Sequence, residues 1–255
     1  MSASDRPVWL LALGHRDPAP ELSLGDGRTL KLAQVYKHDF FAHTARYGSG
    51  GDAVVVKRSR RGLATGWLGR LVTWHERRVF RRLAGLPGIP DVVEHPEPAT
   101  LVHEHLPGRA LAWGDHPPDG FLEALEDLVT RVHARGVAVV DLEKPGNVLL
   151  ADDNTPALFD FQLAFAWPRI LGGGLPPFTW ILRTLQHGDR YHLQKLRRRL
   201  RPDTMTPEER EASRQKPGPV RFITQLIDPF RRLRRNYLAR IDDRRDPGER
   251  GRVSR

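Results

Sequence analysis

The sequence predicts an α+β protein of two lobes: a β-rich lobe over residues 1–106, a mainly helical lobe over 107–241, and a disordered charged tail over 242–255. Three observations carry this. Short β-branched or alternating runs at 29–35, 52–57 and 100–105 crowd the first part of the chain, and period-two runs bounded by turn residues read as strands. Stretches with apolar residues three and four apart dominate the later part, the pattern of helices with one buried face. Between them lies 139–165, VVDLEKPGNVLLADDNTPALFDFQLAF, where two apolar runs flank an Asp/Asn/Pro turn and so form a hairpin. A chain of 255 residues is long enough for one large domain or two modest lobes.

The hairpin brings Asp141, Asn147 and Asp160 to one end. Converging hard oxygen donors suit Mg²⁺, which takes a few carboxylate or amide oxygens and completes its shell from phosphates and water. An Asp, an Asn a few residues on, and an Asp in an Asp-Phe-X sequence are also the parts of the protein-kinase catalytic pattern. The stretch resembles the catalytic core of protein-kinase-like phosphotransferases. It is most similar to the atypical bacterial group that includes the lipopolysaccharide core (heptose and Kdo) kinases, and to the RIO-type kinases. The resemblance implies a protein-kinase-like two-lobed fold with ATP and Mg²⁺. It implies that Asp141 orients the attacking hydroxyl and accepts its proton, and that Asn147 and Asp160 hold the metal. Three departures stand out: Val139-Val140 replaces His-Arg before the catalytic Asp, Asn147 lies one residue further on, and Gln162 replaces the Gly of DFG. A bulge in the Lys-Pro-Gly loop is expected to absorb the extra residue.

Taken in order, Gly25-Asp26-Gly27 marks a turn between two N-terminal strands, and strands follow at 29–35 and 40–47. The linker 36–39 falls where the resemblance puts a glycine-rich phosphate loop, yet contains no glycine. Lys37, His38 and backbone amides would then cover the phosphates. Gly48-Ser49-Gly50-Gly51 reads as a hairpin turn, because a β-branched strand follows it and no helix N-terminus points at an anion. That strand ends in Lys57. Residues 69–83 space Leu71, Val72, His75, Val79 and Leu83 as a helix face. Glu76 is the only acid there, amid Arg77, Arg78, Arg81 and Arg82. It either balances those arginines or, in the resemblance, forms the Lys57–Glu76 ion pair. Residues 86–90 end the helix and 92–105 read as a strand pair. Residues 100–108 resemble the kinase hinge, which implies adenine contacts from Glu104 to Leu106. His103 and His105 share a strand face, but a metal site needs a third ligand that the neighbouring sequence does not supply, so structural histidines are expected. Pro107-Gly108 marks the lobe boundary.

Beyond it, Asp119 is expected to cap a helix whose stripe is Phe121, Leu125, Leu128 and Val132, ended by Gly136. After Phe165 the chain lacks the Ala-Pro-Glu of peptide-docking kinases. Phe178, Trp180, Ile181 and Leu185 are expected in a core helix, with a lipid-facing patch beside Arg169 and Arg183 as the alternative. A basic helix at 191–200 stops at Pro202, and Thr206-Pro207-Glu208-Glu209 starts another. Apolar residues from Phe222 to Ile241 share one face of a last helical region kinked at Pro229. Packing in the helical lobe is preferred there over a membrane-surface helix.

The net charge of +10, carried mostly by arginine, suits phosphate-bearing partners: nucleotides, anionic lipid surfaces, phosphorylated glycans or nucleic acid. Nucleic acid is disfavoured, because no nucleic-acid-binding motif is present and it leaves the ordered Lys57, Glu76, Asp141, Asp160 set unexplained. With no cysteine, neither a disulfide framework nor thiol chemistry is available. The start has no basic region before its short apolar run, and no apolar run reaches the ~20 residues of a membrane span. The expectation is a soluble cytoplasmic protein, with peripheral contact to an anionic inner-membrane face left open. Together these readings predict transfer of the γ-phosphate of MgATP to a hydroxyl acceptor, leaning to a saccharide or lipid-linked glycan. The alternatives are a RIO-like Ser/Thr protein kinase and a pseudokinase, the latter supported by the glycine-free loop, Gln162 and the displaced Asn147.

Overall fold

The structure, a computed structural model, describes residues 18–38, 42–59, 66–97, 99–166 and 176–214. The expectations for 222–241 and for the tail 242–255 lie outside these residues. Six antiparallel strands make the first sheet: β1 (Glu21–Ser23), β2 (Thr29–His38), β3 (Ala42–Tyr47), β4 (Val54–Ser59), β5 (Val92–Val93) and β6 (Thr100–Glu104), in the order β1-β2-β3-β4-β6-β5. Its inner face packs Leu22, Ala45, Tyr47, Val54, Val56 and Val102, which is why alternate positions of these strands are apolar. Gly48 to Asp52 forms the expected hairpin turn, with Gly48 at φ +76° and a 3₁₀ turn over Gly50–Asp52. One reading is corrected here. Tyr36, Lys37 and His38 are strand rather than linker, with Lys37 opposite Thr44 and His38 opposite His43. Without a glycine to break it, β2 keeps its ladder and takes up two register shifts instead.

Helix α1 (Gly66–Leu83) lies against this sheet. Its buried face is Gly69, Thr73, Glu76, Val79, Phe80 and Leu83. Leu71, read as a core position, is exposed instead. The inward stripe contains polar members satisfied from the sheet. Ser59 Oγ hydrogen-bonds Thr73 Oγ1 and donates to the Gly69 carbonyl, and Lys57 meets Glu76. A period counted on apolar side chains alone therefore finds Val79 and Leu83, misses Thr73 and Glu76, and takes in the exposed Leu71.

Helix α2 (Phe121–Ala134) buries Phe121, Leu125, Leu128 and Val132 as expected. Its N-cap is Gly120, at φ +78°, not Asp119. Asp119 turns away and pairs with Arg201 at 2.6 Å. Strands β7 (Gly108–Ala110), β9 (Val148–Ala151) and β10 (Pro156–Leu158) form a second sheet, and β8 (Val137–Ala138) pairs with β11 (Phe165–Ala166). The hairpin expected around 151–156 is thus β9–β10. Helix α3 (Pro176–Leu200) runs unbroken for 25 residues where the sequence reads as two segments. Phe178, Ile181 and Leu185 are half-buried on it, whereas Trp180, expected in the core, is exposed. Helix α4 (Pro207–Ala212) starts with a capping box between Thr206 and Glu209. One apolar cluster runs from Phe80 and Leu83 of α1 through α2 and Phe161 to Leu193 and Leu196 of α3. The helical part is thereby tied to the element that crosses the first sheet. Among the described residues no helix is long and apolar enough to cross a membrane.

Gly108, the first residue of β7, sits at φ +142°, and a Cβ there would meet the Leu150 carbonyl and lie 2.7 Å from Ala151 Cα. Both are backbone atoms of β9 and cannot swing aside. Gly108→Ala should lower stability by about 1–3 kcal/mol, read as a fall in the urea midpoint at unchanged slope. An unchanged midpoint would mean that β7 shifts freely.

Candidate active site

A cleft of about 530 Å³ opens beside β4 and β6, above the β9–β10 hairpin, within the size range of small-molecule sites. Of the residues predicted from sequence, Lys57, Glu76, Glu104, Leu106, Asn147 and Asp160 line it. Strand alternation sends Val54 and Val56 into the core and leaves Val55 and Lys57 facing the cleft. Lys57 Nζ stands 2.9 Å from Glu76 Oε1 and 3.4 Å from Asp160 Oδ1. Glu76 is only 1% exposed. Burial pushes its carboxyl above the ordinary carboxylate value, the Lys57 ammonium pulls it back, and the charge of Asp160 raises it further. The backbone N–H of Phe161 also donates to it.

The catalytic-loop stretch absorbs its extra residue in a 3₁₀ turn, Pro145–Asn147. The turn folds Asn147 back, so that its Nδ2 donates to the Asp141 carbonyl at 2.7 Å and to Asp141 Oδ2 at 3.0 Å. Asp141 is thus joined to the cleft through Asn147. Lys144, which the sequence reading passed over, puts its Nζ 3.5 Å from Asp141 Oδ2. Gln162 donates its backbone N–H to Asp160 Oδ1 at 3.3 Å. Among the described non-glycine residues only Val140 and Asn154 have positive φ, so the position of Gln162 does not require glycine.

Val140 is the exception that matters, a β-branched residue at φ +71°, a conformation that costs on the order of 1–3 kcal/mol. Asp189 of α3 holds it there. Its carboxylate accepts the N–H of Val139 at 2.8 Å and of Val140 at 2.7 Å, and meets His133 Nε2 at 2.8 Å. Val139-Val140 therefore occupies the place of His-Arg as backbone held by a buried acid. Sequence reading missed Asp189. The available signal was that it is the only acid in α3.

Lys37 and His38 lie in β2, and their side chains fall outside the described residues. What β2 brings to the cleft is Tyr36, with Thr44 of β3. At the end of β6, His103 stacks on Phe80 at 5.2 Å and donates from Nδ1 to the Glu104 carbonyl at 2.7 Å. Burial lowers its pKa from 6.5 to about 4, so the ring is neutral in ordinary conditions. Among the described residues no three His, Asp or Glu side chains gather closely enough to hold a metal ion by themselves. A phosphate-completed Mg²⁺ shell does not require that, and the oxygen-bearing Asp160 and Asn147, which both line the cleft, fit such a shell.

No protein-family model matches the chain. The probable SapB synthase of Streptomyces coelicolor is 32% identical over 187 residues, 63% of this chain and 20% of that protein. The chain thus spans about a fifth of that relative's length. Among solved structures, it is similar to the Rio2 kinase of Chaetomium thermophilum in complex with ADP/Mg²⁺ and phosphoaspartate. The TM-score is 0.50 at 17% identity, over 76% of this chain and 66% of the other. The fold is therefore α+β and protein-kinase-like.

The neutral His103 has a consequence for stability. A group whose pKa is lower in the folded than in the unfolded chain supplies stability above its unfolded pKa, here near 6.5, which is lost as pH falls toward about 4. Between about pH 6.5 and 5 the loss is on the order of 2 kcal/mol. His103→Phe keeps the ring stack on Phe80 and cannot be protonated. Urea unfolding across this range should show the variant losing less stability than wild type; parallel losses would remove His103 as the cause.

Proposed function

We propose that this protein is a kinase that transfers the γ-phosphoryl group of MgATP to a hydroxyl acceptor. The observation that carries the reading is the Lys57–Glu76 pair, 2.9 Å long, with Asp160 3.4 Å from the same ammonium in a cleft of a kinase-like fold. Lys57, held by Glu76, would contact the α- and β-phosphates. Backbone groups from Glu104 to Leu106 would meet the adenine, and Tyr36 of β2 would cover the phosphates where Lys37 and His38 were expected to. Asp160 and Asn147 would hold Mg²⁺, which supplies charge neutralisation at the β- and γ-oxygens.

The acceptor oxygen attacks the γ-phosphorus in line, the bond from that phosphorus to the β-bridging oxygen breaks, and ADP leaves. The hydroxyl proton goes to Asp141, oriented by the Asn147 amide. Lys144, 3.5 Å from the Asp141 carboxylate, sets a cation beside the group in transfer. Positioning and charge compensation suffice for this chemistry.

For the acceptor, resemblance to the lipopolysaccharide core kinases, the absent Ala-Pro-Glu and the +10 charge favour a saccharide or lipid-linked glycan. The likeness to a Rio2 kinase favours a protein acceptor as the second reading. With MgATP as donor, the reaction would take place in the cytoplasm.

Calorimetric MgATP binding and turnover, measured beside Asp160→Asn and Asp141→Asn, test the reading. Asp160→Asn should lose most metal-dependent binding. Asp141→Asn should keep binding and lose turnover by about 10²–10⁴-fold. Wild-type binding without turnover on sugar, lipid-linked or protein acceptors would make the protein a pseudokinase, and absence of MgATP binding would overturn the proposal.

A further inference from the structure

The inner face of α1 serves the cleft, but its outer face has no role there. Trp67, Leu71, Trp74 and Arg78 follow one another at i, i+4, i+7 and i+11, one continuous stripe along the helix. Trp67 is 67% exposed, Leu71 52% and Trp74 54%. Two indoles and a leucine standing together in water are unfavourable unless something covers them. The charge that α1 itself sets on this face has one sign. The only acid of α1 is Glu76, which points inward to Lys57. The guanidinium of Arg78 lies over the Trp74 ring at 5.4 Å, and Arg70 is exposed between Trp67 and Leu71 in sequence. Arg81, one turn on, is exposed and pairs with Glu94 of the neighbouring strand segment at 2.7 Å.

We propose that the outer face of α1 docks on the surface of an anionic phospholipid bilayer. Indoles settle at headgroup depth, a leucine between them enters the acyl boundary, and guanidiniums meet lipid phosphates. The basic flank and the +10 net charge complement the negative potential of such a surface. A second copy of the chain is a poorer occupant, because a two-fold contact would set this arginine-flanked face against itself. The assignment stands apart from the phosphotransfer reading, because it uses no residue of the cleft.

The test is co-sedimentation of the full chain with vesicles of phosphatidylcholine alone and with about a third phosphatidylglycerol. It compares wild type, the double variant Trp67→Ser/Trp74→Ser and the double variant Arg70→Glu/Arg78→Glu. Wild type should bind the anionic vesicles, more weakly as salt rises, and the neutral ones poorly. Each double variant should bind about tenfold or more weakly, with unchanged urea midpoint and MgATP affinity. Failure of wild type to bind anionic vesicles overturns the proposal. Equal binding by wild type and both variants overturns it too, by moving the lipid contact elsewhere, 216–255 included. If the tryptophan substitutions instead convert a dimer to a monomer and leave vesicle binding unchanged, the face is a contact between copies and the proposal also fails.

Discussion

A carboxylate that is 1% exposed dictates much of this structure. Taking Glu76 out of water costs several kcal/mol unless a partner compensates it. The compensation comes from two places in the chain: the Lys57 ammonium on β4 and the Phe161 backbone N–H after Asp160. These can converge only if α1 lies on the sheet in one register and the segment after the hairpin comes up beneath it. Aliphatic contacts would tolerate a shifted helix, whereas an ion pair 2.9 Å long does not. The pair thus fixes where the Lys57 ammonium stands, 3.4 Å from Asp160.

Asp189 plays a comparable part on the other side of the cleft. Each of the two basic helices carries a single acid, and in each that acid is buried, Glu76 meeting Lys57 and Asp189 meeting the backbone just before Asp141. The carboxylate of Asp189 fixes two successive N–H groups, which is how Val140 is kept at φ +71°. The bent backbone that results leads straight into Asp141. No side chain at 139 or 140 needs to do this, and that explains how two valines can stand where kinases carry His-Arg.

The legible features were those whose cause is local. The β9–β10 hairpin follows from its turn residues, the Gly48 turn from its glycines, and the stripe of α2 from apolar spacing. Lys57 and Glu76 were legible because the order strand-Lys, helix-Glu, Asp, Asp is itself a pattern. Features with a distant cause were not. Asp119 looks like a cap until Arg201, far along the chain, takes its carboxylate at 2.6 Å. The buried face of α1 includes Thr73 and Glu76, whose partners Ser59 and Lys57 belong to the sheet, so counting apolar residues found Val79 and Leu83 but missed these two and took in Leu71. Asp189 has no motif around it, and its role exists only once α3 meets residues 139 and 140.

The same buried charges bear on whether the cleft is a working site or a relic. Replacing a buried ion pair by well-packed apolar residues is often neutral or stabilising, so a protein that needed only the shape of this fold could lose Lys57 and Glu76 without penalty. Both are present, paired and aimed at a cleft that also holds Asp160, and a strained Val140 is maintained beside Asp141. Clustered strain and desolvated charge at one concavity are the physical marks of a functional site. The substitutions that would suggest decay also have structural accounts. Gln162 needs no positive φ, the extra residue before Asn147 is taken up in a 3₁₀ turn that still delivers its amide to Asp141, and the backbone of Val139-Val140 is held by Asp189. These are the features that the proposed phosphoryl transfer would draw on.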